Sequence, residues 1–155
     1  MKRIILVSML SITLVFSMSC KKDEKADTAK ASFSAKVNGT LWTASNCLAG
    51  HQSLGNTSMV TGMGTTAAEM ISIDFTGSGT GTYKMNDSNM GSVTIGSINC
   101  TTFFSDPPVG EIVITKYDAA NSKISGTFSF KAEDMSGTVY TITEGKFDNV
   151  ELVIQ

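Results

Sequence analysis

From Ala31 onward the chain repeatedly alternates apolar and polar residues with a period of two, the mark of strands buried on one face and wet on the other. Ala31 to Val37 puts Phe33, Ala35 and Val37 on one side. Asn38-Gly39 then supplies two residues that tolerate positive φ, a hairpin turn into Thr40 to Ser45 with Leu41 and Trp42. Ser58 to Gly62 reads as a further strand, Met70 to Phe75 aligns Ile71, Ile73 and Phe75, and Gly77 to Gly81 turns the chain into Thr82 to Met85. Val93 to Ile98 alternates again, and Glu111 to Tyr117 places Ile112 and Ile114 together. Turn chemistry at Asp118 to Ser122 leads into Lys123 to Ala132, where Ile124, Gly126, Phe128, Phe130 and Ala132 share a row. Beyond a turn at Asp134 to Gly137 lie Thr138 to Thr143 and Gly145 to Ile154. The step from Phe147 to Val150 breaks the period of two, which predicts a β-bulge near Asp148-Asn149.

Two windows are candidates for helix, Ala44 to His51 and Thr65 to Met70. Both are short, flanked by glycine, and without apolar residues at i, i+3, i+4 and i+7 over several turns, so any helix is a turn or two. Short strands and frequent turns predict an all-β fold: a single antiparallel β-sandwich or barrel-like domain of roughly 8–10 short strands, covering 31–155. Alternation does not separate a closed barrel from two packed sheets. All 14 glycines fall after Ala31, as a turn-rich domain needs.

Ahead of this domain the pattern changes. Met1-Lys2-Arg3 is basic, Ile4 to Phe16 is largely apolar, and Ser17-Met18-Ser19-Cys20 closes the stretch with small residues before Lys21-Lys22-Asp23-Glu24. An apolar run of 13 residues, diluted by Ser8, Ser11 and Thr13, falls short of the ~20 that a membrane span requires. Residues 1–19 therefore read as a signal peptide, and Cys20 as the site of lipid attachment. Ser19 fits the small position of a lipobox, whereas Ser17 stands where leucine is usual; plain cleavage after Ser19 is the alternative. Residues 20–30, polar and without an aromatic side chain, read as a flexible tether. The expected location is the cell outer membrane, held by lipid on Cys20. Lys22-Asp23-Glu24 resembles a short surface-export signal, which favours a surface-exposed over a periplasmic-facing domain.

Lipid on Cys20 leaves Cys47 and Cys100 as an even pair, and export places them where disulfides persist; a Cys47–Cys100 bridge is the expectation. The rival, a metal site using both cysteines and His51, has three candidate ligands and no recognised spacing, so neither metal nor cofactor is expected. His51, beside Gly50 and Gln52, reads as a surface residue. From Cys20 onward 10 lysines face 14 acids, a net charge of 10 − 14 = −4. Such a balance argues against nucleic acid as a partner.

Phe33-Ser34-Ala35-Lys36-Val37-Asn38-Gly39 with Trp42 resembles the opening of a family of small all-β bacterial lipoproteins of unknown function. Ile114 to Asp118, Ile124 to Phe130 and Ile142 to Phe147 resemble its closing half. The resemblance implies a fold class and a localisation, and carries no activity.

The sequence holds no Gly-x-Ser-x-Gly elbow, no His-Glu-x-x-His and no phosphate-loop lysine motif. Asp74, Glu111, Glu144 and Glu151 lie in or beside strands as candidates for a paired-carboxylate hydrolase. Trp42, Tyr83, Phe103, Phe104, Tyr117 and Tyr140 include residues off the main apolar rows, and of these Trp42, Phe103, Phe104 and Tyr140 are the candidate ligand contacts, because exposed rings stack on sugars or anchor partners. The leading expectation is a non-catalytic binding or interaction module for a glycan or small ligand. A structural cell-envelope component contacting an envelope protein comes second, and the hydrolase last.

Overall fold

The computed structural model describes residues 30–66 and 68–155; the expected signal peptide, Cys20 and nearly all of the expected tether lie outside them. The described chain is all-β. Its strands are β1 (Ser32–Val37), β2 (Thr40–Thr43), β3 (Asn46–Gln52), β4 (Thr57–Met63), β5 (Glu69–Thr76), β6 (Gly81–Lys84), β7 (Met90–Ile95), β8 (Ile98–Thr101), β9 (Val109–Asp118), β10 (Lys123–Glu133) and β11 (Val139–Ile154). One 3-10 turn, Thr102–Phe104, follows β8.

These 11 strands form one sheet in the order β2-β1-β11-β3-β4-β5-β7-β8-β10-β9-β6, and a further β10–β11 pairing closes it on itself. The ring is barrel-like: β3, β4, β5, β7, β8, β10 and β11 close it, the β1-β2 hairpin hangs on β11, and β9-β6 hangs on β10. Closure between β8 and β10 runs through the pair Glu133–Thr101.

The last strand organises the rest. β11 is 16 residues long and pairs with β10 along one edge. Its other edge takes β1 and then β3. Two register shifts against β10 place an extra residue on β11 each time. Glu144 (φ 51°) and Asn149 (φ 49°) sit at those points, so the bulge predicted at Asp148-Asn149 is present and a second lies ahead of it. Each added residue bends the strand and raises its twist, which lets one strand follow a curved wall.

Four expectations are corrected. The sheet is mixed, because β3 runs parallel to β11. Val93 to Ile98 is not one strand: Ile95 pairs with Ile98 across Gly96-Ser97, and Gly96 takes φ 63°. The window Ala44 to His51 contains strand β3, paired with β4 along its whole length. Its inward row is Cys47, Ala49 and His51, too small and polar to show an apolar period. In the second window Thr65 and Thr66 form a bend, and Glu69 and Met70 already belong to β5.

The predicted rows do form the core. Phe33, Ala35, Val37, Ile71, Ile73, Phe75, Ile112, Ile114, Ile124, Phe128, Phe130 and Ala132 are all buried. Aromatic rings seated on glycines fill the interior. A Cβ at Gly62 would stand 2.7 Å from Phe33 Cγ, and one at Gly91 would stand 2.7 Å from Phe130 Cγ. Phe33 lies 5.1 Å from Phe128 and 6.3 Å from Phe147, centroid to centroid.

Candidate functional site

The four candidate aromatics occupy two places. Trp42, on the edge strand β2, is half-buried and meets Phe33 edge-on at 6.1 Å. Its indole N–H donates to Glu69 Oε2 at 3.2 Å. Together with Val37, Thr40, Leu41 and Ile95 they line a recess of about 250 Å³ at the end of the barrel where β1 turns into β2. The turn there is built as the sequence predicts: Asn38 and Gly39 both take positive φ (48° and 82°), and Asn38 Oδ1 accepts from the Thr141 N–H at 2.8 Å. Tyr140, next to Thr141 on β11, packs half-buried against the core at this same end.

Phe103 and Phe104 stand apart on the 3-10 turn. They pack edge-to-face at 5.5 Å and remain 67% and 42% exposed. Thr101 Oγ1 accepts the Phe103 N–H at 3.2 Å and Thr102 Oγ1 accepts the Gly91 N–H at 3.1 Å, so the turn is anchored to β7 and β8 while both rings face outward.

The expected Cys47–Cys100 bridge is not formed: both residues are free thiols. Register explains their separation. Cys47 pairs with Gly62, Gly62 with Ile71, Ile71 with Val93, and Val93 with Cys100. Three strands lie between the two cysteines one way round the ring and two the other, so Cys47 and Cys100 sit on opposite walls, at least three inter-strand steps of about 4.8 Å apart around the sheet, whereas a disulfide needs Cα atoms within roughly 7 Å. Cys100 Sγ turns instead to the Thr138 carbonyl at 3.4 Å. Burial pushes both thiols up from their ordinary pKa, with Asp134 and Glu133 adding to the effect at Cys100.

His51 is not a surface residue. It is 7% exposed, on the inward row of β3, with Nδ1 2.9 Å from Ser58 Oγ. Ser58 Oγ donates its hydrogen to the Gly77 carbonyl at 2.7 Å, so the imidazole must donate to the hydroxyl, which fixes hydrogen on Nδ1. The His51 ring meets Tyr117 edge-on at 6.2 Å. The Tyr117 hydroxyl, buried beside Ser58, completes no hydrogen bond, and burial raises its pKa. The sequence signal for this cluster is its alternation with Cys47 and Ala49, legible only once β3 is known to be a strand.

The four candidate acids do not converge as a group. Glu111 and Glu144 line one shallow recess of about 370 Å³ on the outer face of β9, β10 and β11. There Glu111 is ion-paired to Lys84, and Glu144 to Lys36 at 2.7 Å. Asp74 lies on the outer face of β5 in a separate, larger cavity of about 540 Å³. Burial holds its carboxyl above the usual carboxylate range. Among the described residues, no group of three or more His, Cys, Asp or Glu is placed to hold a metal ion.

The fold and its recesses define an all-β, barrel-like domain with a filled interior and shallow outward-facing sites. The chain belongs to a family described as a domain of unknown function, DUF6252, whose model matches residues 29–151. Nothing matches it among curated proteins or among solved structures.

Proposed function

We propose that this protein is a non-catalytic binding module of the cell outer membrane, anchored by lipid on Cys20, which takes a glycan or similar small ligand at the recess where β1 turns into β2. The observation that carries the reading is the pairing of Trp42 with Glu69. A half-buried indole offers a flat apolar face, and the carboxylate beside it offers acceptors for hydroxyl groups. Aromatic face plus fixed polar group is the combination that orients a sugar ring. Two acids bound to surface lysines, rather than facing each other across an enclosed cleft, speak against the hydrolase.

Trp42 is the only tryptophan, so its fluorescence reads the site directly. A panel of soluble oligosaccharides is titrated against the protein, and one class shifts the emission saturably. Glu69→Gln weakens that shift, and Trp42→Phe retains part of the binding when it is followed by calorimetry. A panel that leaves both emission and heat unchanged overturns the reading.

The filled interior favours a second reading, a structural envelope component without a small ligand. Protease treatment of intact cells, beside lysed cells and a Cys20→Ala control, separates the two settings. Loss of the domain from intact cells accords with capture of outside polymers. Protection until lysis accords with an envelope partner.

A further inference from the structure

The largest recess described above lies on the outer face of the sheet, and its origin is a missing side chain. Val153, Gly50, Met59, Asp74 and Met90 form one cross-strand row over β11, β3, β4, β5 and β7. Ala49 and His51 point inward and are buried, so alternation turns Gly50 outward. Gly50 therefore leaves bare backbone between Val153 and Met59, and the nearest atom to a Cβ placed there is the Val153 carbonyl oxygen at 3.9 Å. Leu48 and Gln52 flank the gap along β3, giving a cavity of about 540 Å³, within the usual range for small-molecule sites.

Its walls are mainly apolar, and Asp74 is the only acidic side chain lining it; no lysine or arginine does. Among the described residues, nothing ion-pairs or hydrogen-bonds with the Asp74 carboxylate. Thr61 and Ser72, close by on the same outer face, satisfy each other at 2.9 Å instead. A carboxylate partly withdrawn from water and without a protein partner gains free energy from a bound cation. The Met59 thioether in the recess wall suits an apolar body of irregular shape, since methionine adapts to what it packs against.

We infer that this recess is a binding site for an organic cation, with an ammonium group on the Asp74 carboxylate and an apolar body over Gly50 between Leu48, Met59 and Val153. The site is separate from the Trp42–Glu69 recess, and either can stand without the other.

The test is calorimetric titration of the protein with hexylamine, hexan-1-ol and hexanoate, three probes of one chain length and different head charge. Hexylamine binds saturably, hexan-1-ol about tenfold more weakly, and hexanoate more weakly still, as the loss of one charge-assisted hydrogen bond requires. Asp74→Asn lowers hexylamine affinity by about the same factor and leaves hexan-1-ol unchanged. Gly50→Val, which fills the gap where a Cβ has room, abolishes binding of both. Equal affinity for amine and alcohol, an amine affinity indifferent to Asp74→Asn, or no saturable heat with hexylamine overturns the proposal. Far-UV circular dichroism of each variant shows that the sheet is intact.

Discussion

Gly62 and Phe33 test whether the interior is packed as described. Phe33 is 1% exposed, and its ring occupies the space into which a Cβ on Gly62 would project, 2.7 Å from Cγ and 2.8 Å from Cε1. Phe33→Ala leaves a cavity and costs about 3–5 kcal/mol. Gly62→Ala, at a residue whose φ is not positive, needs no unusual backbone. It forces the methyl against the ring and costs about 1–3 kcal/mol through overpacking. In the double variant the new methyl enters the space the ring has left. The combined loss should therefore fall short of the sum of the single losses by at least about 1 kcal/mol, a coupling typical of residues in contact. Urea unfolding followed by far-UV circular dichroism measures all four proteins. At about 4 °C per kcal/mol, Phe33→Ala alone lowers Tm by roughly 12–20 °C. Losses that add to within about 0.5 kcal/mol would mean that the ring does not sit on Gly62.

Three further outcomes follow from the buried polar groups. The raised pKa of Asp74 means that the folded state holds this proton more tightly than the unfolded state. Its contribution to stability therefore falls as pH rises from the ordinary Asp range through the raised value; Asp74→Asn is more stable than the native protein at pH 7, and thermal melts from acid to neutral pH show the advantage vanish at the acid end. Tyr117→Phe removes a buried hydroxyl without a partner and leaves stability unchanged or higher by about 1 kcal/mol; a loss of that size in chemical denaturation would reveal a partner. Thiol titration of the protein carrying Cys20→Ser, never reduced and denatured in guanidinium, returns two equivalents from Cys47 and Cys100. In the native state burial and the raised thiol pKa values slow both reactions, and no reactive thiol after denaturation would restore the bridge.

Where a strand buries large apolar residues at every second position, the chain states its own fold. That holds for Phe33-Ala35-Val37, for Ile71-Ile73-Phe75 and for Ile124 to Ala132, each found as a buried row. Local backbone chemistry is equally legible. Asn38-Gly39 takes the positive φ angles its side chains permit, and the missed beat between Phe147 and Val150 is a bulge with Asn149 at φ 49°. β3 escapes this reading because its inward residues are Cys47, Ala49 and His51. Small and polar residues suffice there because the aromatic rings filling the interior come from other strands, Phe33 from β1 and Phe128 and Phe147 from β10 and β11. The β7–β8 hairpin escapes because Gly96-Ser97 lies inside a short apolar run, where the step of three from Ile95 to Ile98 is the sole mark of the turn.

Class, strand faces and most turns are readable along the chain, because they depend on residues a few positions apart. Long-range folding alone sets β11 beside β3, parallel and roughly a hundred residues away in the chain, and pairs Glu133 with Thr101 where β10 meets β8. Those pairings set which side chains become neighbours. They join Trp42 to Glu69 and bring Asp74 to the gap at Gly50, and they hold Cys47 and Cys100 on strands that are not neighbours. Strand alternation says which face a residue takes; the order of strands, fixed by long-range packing, says what it meets there.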